Sequence, residues 1–310
     1  MDNIKKEKEK INENGIILID KNKGDTSFDV LRYFKKNFKG KYGHSGTLDP
    51  IATGLLIVLV GRATKLSDFL LKKDKTYIAE IKLGLKTDTL DITGNVISED
   101  KDILNKKEIL DEENLKKVLN KYIGKITQVP PIYSALKYEG KKLYEIAREK
   151  KEDDEKIEEI LNSKKRDVNI YNINILKIDK ANMTFKIKVD CSSGTYIRTL
   201  AEDISNSLGV EGCILNLRRT KLGKFDVKSG IKKEEIENIK DFKNALISDE
   251  EVLKNIFENK IEIKDKDKFL NGMLLNIDLN DGYYLIYSEE SFVGLGEVKN
   301  KKLKRKYVTI

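Results

Sequence analysis

The sequence predicts an α+β fold with a mixed, largely antiparallel sheet, and three observations carry that expectation. Apolar strand-like runs and amphipathic helix-like runs are interleaved along the whole chain. Successive strands follow one another at hairpin spacing, as in Val168–Ile178 and Met183–Asp190, without the strict strand–helix–strand alternation of a parallel sheet. The last sixty residues contain strand-like pieces, Tyr283–Tyr287, Phe292–Val298 and Tyr307–Ile310, which predict a separate small β-rich domain.

Taken in order, residues 1–12 read as a flexible basic tail. Ile16-Ile17-Leu18-Ile19 is a short buried strand. Thr26 and Ser27 offer N-cap oxygens to a helix whose Phe28, Leu31, Phe34 and Phe38 recur at helical spacing. A Gly-rich loop, residues 43–50, leads into the apolar strand Leu55–Val60, and Leu66, Phe69 and Leu70 mark another amphipathic helix. Lys75–Leu83 alternates Tyr77, Ala79, Ile81 and Leu83 with polar partners, the pattern of a half-buried strand. Asp111 caps a helix carrying Leu115, Val118, Leu119 and Tyr122, closed by Gly124. The charge run over residues 149–167 predicts a solvated excursion. Ile197, Leu200, Ala201, Ile204 and Leu208 share one helix face before Gly209, and Cys213–Phe225 reads as strand, turn, strand. Lys232–Phe257 reads as a charged helical stretch, and a domain boundary is placed near residue 250.

The chain has 310 residues, 36% of them charged and 39% hydrophobic, with a formal net charge of +8 and a pI near 9.0. That surplus of cations fits a polyanionic partner such as nucleic acid. No apolar run approaches the roughly 20 residues of a membrane span. The polar start, Met1 to Lys10, lacks the apolar core of a secretory signal. Cys191 and Cys213 form no disulfide pattern, which with the rest places the protein in the cytoplasm.

Several chemistries lack their parts. There is no P-loop, and Gly294-Leu295-Gly296 does not open a helix as a dinucleotide fingerprint would. One histidine and two distant cysteines leave almost no ligands for zinc, so no metal and no cofactor are expected. Gly43-His44-Ser45-Gly46 misses the Gly-x-Ser-x-Gly elbow spacing, and the only histidine is the serine's neighbour. What remains is carboxylate, tyrosine, arginine and lysine chemistry. Asp49 sits in a tight glycine-rich loop beside His44, where it could be a nucleophile, a base or a turn residue. Tyr77 lies on a half-buried strand, Asp88 and Asp91 in a turn-rich segment after it, and Tyr196 and Arg198 near a helix N-terminus, where anions are favoured.

Together these stretches resemble the TruB family of tRNA pseudouridine synthases. The similarity runs from Gly15 through Arg219. It includes Gly43-His44-Ser45-Gly46-Thr47-Leu48-Asp49-Pro50, Ala52-Thr53-Gly54, Lys75-Thr76-Tyr77, Pro131–Lys137, Gly140–Tyr144 and Gly194-Thr195-Tyr196-Ile197-Arg198. The resemblance implies isomerisation of uridine 55 in the T-loop of tRNA. It implies that Asp49 is the nucleophile, that Arg198 pairs with it, and that Tyr77 stacks on the target base and is a candidate proton acceptor. His44 then braces the tRNA, Asp91 contacts the uracil edge, Tyr196 binds substrate, and Leu217 lines the base pocket. The implied organisation is a catalytic domain of the pseudouridine synthase type over 13–250, with an RNA-clasping thumb at about 125–167. A small PUA-like RNA-binding domain follows over 251–310. The implied protein is a cytoplasmic monomer whose partner is the T-arm of tRNA, with no membrane association.

The chemistry of the residues agrees. Turning uridine into its C-glycoside is redox-neutral, and a carboxylate can carry the sugar or base covalently while the uracil rotates. A paired arginine keeps such a carboxylate ionised. The nucleotide must be flipped out, and an aromatic replaces its lost stacking at about 1–3 kcal/mol per base. Departures from the family pattern are Asn22, where proline usually follows the early Asp-Lys, and a longer, more charged segment over residues 149–166. A noncatalytic tRNA-binding chaperone is the rival reading, and a guide-RNA-dependent synthase a second.

Overall fold

The computed structural model describes residues 8–134, 136–149 and 154–309. Its internal contacts divide it into two compact units. The first comprises the chain through Pro50, Gly54–Leu71 and everything from Gly223 onward; the second comprises Ile51–Thr53 and Lys72–Leu222.

In the first unit the Gly15–Lys21 strand pairs antiparallel with Thr53–Val60, from Gly15 opposite Val60 to Lys21 opposite Gly54. Ile16–Ile19 and Leu55–Val60 within them are continuous buried apolar runs, so neither strand shows an alternating pattern. Lys21 closes the first strand at 1% exposure, and its ammonium donates to the carbonyls of Asn22 (3.0 Å) and Asp25 (2.6 Å). Lys21→Met removes both charge-assisted bonds and strands two carbonyls. The expected cost is roughly 2–4 kcal/mol, read as a lower urea midpoint at unchanged slope.

The helix Ser27–Asn37 begins at Thr26, whose side chain accepts from the Asp29 amide (3.0 Å) while the Asp29 carboxylate accepts from the Thr26 amide (2.8 Å). Phe28 departs from the expected apolar stripe and is 57% exposed. The inward direction is set by Ser27, Val30, Leu31 and Phe34, and Phe28 lies about 100° round the helix from Ser27. Phe34 and Phe38 join Tyr42 and Phe242 in an aromatic cluster, with ring separations of 5.0 Å for Phe38–Phe242 and 5.7 Å for Phe34–Tyr42.

The helical stretch expected over Lys232–Phe257 is broken. Helices Ile239–Ala245 and Asp249–Ile256 flank a short strand, Ile247–Ser248, that pairs with Ile16 and Gly15. Two N-caps restart the helix: Asn238 accepts from the Lys240 and Asp241 amides, and Ser248 from that of Glu251. Beyond it lies a five-stranded sheet in the order Lys260–Glu262, Gly282–Ser288, Ser291–Lys299, Lys302–Val308, Leu275–Asn276. Only the first pairing is parallel. Phe269, Ile286, Val293 and Leu303 are fully buried in its core.

The second unit is built on five antiparallel strands in the order Gly212–Leu222, Lys75–Leu83, Thr184–Cys191, Arg166–Asp179, Gly124–Gln128. The alternation read in Lys75–Leu83 holds: Tyr77, Ala79, Ile81 and Leu83 are buried. The other face carries Glu80, which accepts from Asn216 at 2.9 Å and lies 3.7 Å from the Lys186 ammonium. The capped helix after Asp111 ends at Asn120, before Tyr122, whose hydroxyl instead donates to the Asp203 carbonyl (2.7 Å). Within the charge run, Asp154–Ser163 is helical, and residues 150–153 lie outside the described residues. Among the described residues no helix is long and apolar enough to cross a membrane.

The helix Ile197–Ser207 buries Ile197, Leu200, Ala201 and Ile204. On its outer flank the Asp203 carboxyl is pushed up to about 6, first by burial and then by the adjacent Glu202 charge. A folded-state pKa above the unfolded value of 3.8 favours the protonated carboxyl. Its contribution to stability is therefore full below pH 3.8 and is lost as pH rises through about 6. Asp203→Asn is expected to raise stability by about 1 kcal/mol at pH 8 and by nothing measurable at pH 3.5, in thermal melts at the two pH values.

Candidate active site

The residue types singled out in the sequence fall in both units. Asp49 and His44 belong to the first; Tyr77, Asp91, Tyr196, Arg198 and Leu217 belong to the second.

The Asp49 loop is held from both ends. Tyr42–His44 adds to the Thr53–Val60 strand with His44 opposite Val58, and the Ser45 amide donates to the Ile57 carbonyl (3.1 Å). Ser27, buried at the helix start, accepts from the Leu48 amide (2.8 Å), and the Gly24 amide donates to the Pro50 carbonyl (2.8 Å). Gly46 turns the loop at φ +104, where a side chain is strained, and a Cβ there would also press within 3.2 Å of Leu71. Leu48 is buried and Asp49, the next residue, is half-buried. The loop thus fixes its backbone through a strand pair and a buried serine and leaves the aspartate at a partly solvated edge. The His44 ring meets the exposed Phe28 edge-on, with centroids 5.7 Å apart.

In the second unit, the Lys75–Leu83 and Gly212–Leu222 strands bring two of the singled-out residues to one face. Arg219 lies opposite Tyr77 and Leu217 opposite Ala79, so Leu217 and Tyr77 are diagonal neighbours. Tyr77 is 9% and Leu217 6% exposed. Arg198, on the first turn of the Ile197–Ser207 helix, is 5% exposed; its two terminal nitrogens donate to the Thr89 carbonyl (2.8 Å) and the Tyr133 carbonyl (2.9 Å). It therefore joins the helix to the turn that carries Asp91 and to the segment after Pro131. Asp91 is 5% exposed, and its Oδ1 accepts from the Thr93 amide (2.9 Å) and hydroxyl (2.5 Å), which shapes that turn. Tyr196 precedes the helix; its amide and carbonyl are both bonded to the Gln128 side chain, at 3.0 and 3.2 Å.

Two cations on the Tyr77 face were not singled out from the sequence. Arg219 is 2% and Lys75 8% exposed. Burial first, and then the Arg219 charge, lower the Lys75 ammonium to about 8. The signal was present: Lys75 is in phase with Tyr77 and Ala79, and Arg219 with Leu217, so strand alternation turns both inward.

Residues 32–197, more than half the chain, match the model for the TruB family pseudouridylate synthase N-terminal domain. The chain belongs to the TruB family. The following residues, 198–259, match the tRNA pseudouridylate synthase B C-terminal domain. Similar proteins include a tRNA pseudouridine synthase B of Francisella philomiragia, 40% identical over 304 residues and covering 96% of this chain and 95% of its own. Another, from Clostridium tetani, is 40% identical over 296 residues, covering 92% and 95%. The fold is also similar to that in a Cbf5–Nop10–Gar1 complex, with a TM-score of 0.67 at 23% identity over 96% of this chain and 85% of that one. The expected fold class, a pseudouridine synthase body with a β-rich C-terminal part, is thereby established. As a TruB-family member the protein is a pseudouridine synthase, an isomerase. Asp49, His44, Tyr77, Asp91 and Tyr196 lie within the first matched stretch, and Arg198 and Leu217 within the second.

Proposed function

We propose that this enzyme isomerises uridine 55 in the T-arm of tRNA, with Asp49 as nucleophile. What carries the reading is Asp49 itself, half-buried in a loop whose backbone is pinned by Ser27, Ile57 and Gly24, in a chain alike from end to end to proteins named tRNA pseudouridine synthase B. In the reaction the N1–C1′ bond breaks, the uracil rotates, C5 bonds to C1′, the proton on C5 leaves and N1 takes one up from solvent, so that product and substrate are isomers. The Asp49 carboxylate carries the detached fragment during the rotation. Arg198 is the arginine that the family resemblance assigns as partner of this carboxylate. Tyr77 and Leu217 form the floor on which the flipped uracil stacks, with Tyr77 as acceptor for the departing proton. Asp91 and Tyr196 contact the base, and His44 braces the RNA around it.

The thumb, about residues 125–167, clasps the RNA. Two of its cations stand beside aromatic rings, Lys164 at 5.8 Å from the Tyr138 centroid and Lys142 at 5.3 Å from that of Tyr144. That pairing of phosphate-seeking charge with stacking surface suits single-stranded loops. Residues 13–250 form the catalytic domain and 251–310 a PUA-like domain that adds RNA contacts. The enzyme works as a cytoplasmic monomer without cofactor.

A T-arm stem-loop transcript carrying 5-tritiated uridine tests the reading. The protein alone is expected to release tritium from the uridine equivalent to position 55 and from no other. Tight binding without release would overturn the catalytic assignment in favour of an RNA chaperone.

A further inference from the structure

Arg166 stands at the end of the charge run that the sequence marks as solvated, yet it opens a sheet strand and rests on an aromatic ring. It lies directly opposite Gln128 in the pairing of Arg166–Asp179 with Gly124–Gln128. The two members of this cross-strand pair hold the same residue. Gln128 takes both backbone polar groups of Tyr196, and the Arg166 guanidinium carbon sits 4.3 Å from the centroid of the Tyr196 ring. Gly194 makes room for it: a Cβ there would lie 3.4 Å from the guanidinium carbon, and the residue's φ of +89 suits glycine alone. The Arg166 Nε is buried and makes no hydrogen bond among the described residues, so the ring, rather than a hydrogen bond through that atom, accounts for where the group lies. Tyr196 remains half-exposed with one face covered.

We propose that Arg166 is a positioning residue for the pseudouridylation site, stacking on one face of Tyr196 so that the other face and the hydroxyl edge are presented to the flipped uracil. The inference rests on Tyr196 being a substrate-binding residue, as argued above. A tyrosine side chain just before a helix has several staggered orientations available. A delocalised cation over its ring selects one, because the ring face carries the negative end of the quadrupole. Arginine suits this role because its planar group stacks as well as charges the contact.

Double-mutant cycles on tritium release test it. Arg166→Ala is expected to lower kcat/KM about 2- to 30-fold, the range of a partly desolvated cation–π contact, and the thermal midpoint by only a few degrees. Tyr196→Phe keeps the ring, so Arg166→Ala should cost the same factor in that background. Tyr196→Leu removes the ring, so there it should cost nothing further. Arg166→Lys should recover part of the loss, and Arg166→Met keeps the packing stem should the alanine variant unfold. A full loss from Arg166→Ala in the Tyr196→Leu background would show that Arg166 acts elsewhere, for instance on an RNA phosphate, and overturn the proposal. So would wild-type activity in both Arg166→Ala and Arg166→Met. Relaxation-dispersion NMR of the Tyr196 ring, with no RNA present, reads the same restraint independently. Faster ring motion in Arg166→Ala is expected, and unchanged motion would overturn the assignment. An unmutated protein that releases no tritium would instead count against the uridine-55 reading, while the ring motion still decides the role of Arg166.

Discussion

Asp49→Asn should abolish tritium release from the T-arm transcript, with a loss of at least about 10⁴-fold in kcat, as expected when the covalent nucleophile of an enzyme is removed. The amide occupies nearly the same volume as the carboxylate but cannot form the ester on which the rearrangement depends. The fold should be indifferent to the change. The loop's backbone is held through the amides of Ser45 and Leu48, the carbonyls of Leu48 and Pro50 and the Ser27 hydroxyl, all of which the substitution leaves in place. Thermal midpoint and transcript affinity should therefore stay close to wild type. If the asparagine variant turned over at even a tenth of the wild-type rate, Asp49 could not be the nucleophile.

Arg198→Lys should be the second most damaging conservative change, costing roughly 10²- to 10³-fold in activity, the range seen on removing a preorganised charged donor. The arginine reaches two carbonyls on different segments, those of Thr89 and Tyr133, at 2.8 and 2.9 Å. A lysine ammonium is a point charge and cannot span both in the geometry of a planar fork. One carbonyl is left without its donor at a site only 5% exposed, so stability should fall as well, by about 1–3 kcal/mol. Arg198→Ala should lose more of both. Urea unfolding beside steady-state kinetics separates the two effects. A lysine variant with wild-type kcat/KM would remove Arg198 from the catalytic set.

Much of the fold was legible because it obeys simple periods. The strand over Lys75–Leu83 was readable from alternation, the helix after Thr26 from its cap and apolar spacing, and the helix over Ile197–Ser207 from spacing and its closing glycine. The failures share a cause. Phe28 carries the spacing of a buried residue, but Ser27 takes the inward position because its hydroxyl serves the backbone of Leu48, twenty-one residues away. Lys232–Phe257 has helical composition throughout, but a two-residue strand pairing with Gly15 and Ile16 interrupts it. Neither partner is near in sequence, so no local pattern announces it.

The candidate site divides the same way. Asp49, His44, Tyr77, Asp91, Tyr196, Arg198 and Leu217 could be named from motifs, because each sits in a run whose residue types and order are distinctive. Lys75 and Arg219 could have been named, since strand phase alone turns them inward. Arg166 could not. Its sequence neighbours Lys164, Lys165 and Asp167 belong to a solvated run, and only the pairing with Gln128 lays its guanidinium on Tyr196. The sequence by itself determined the family, the chemistry available and the candidate residues for it, because side-chain type and spacing are local properties. The tertiary structure decided which charges are buried and which partner each one serves. Those depend on strand register, and register is a contact between segments that the linear order does not contain.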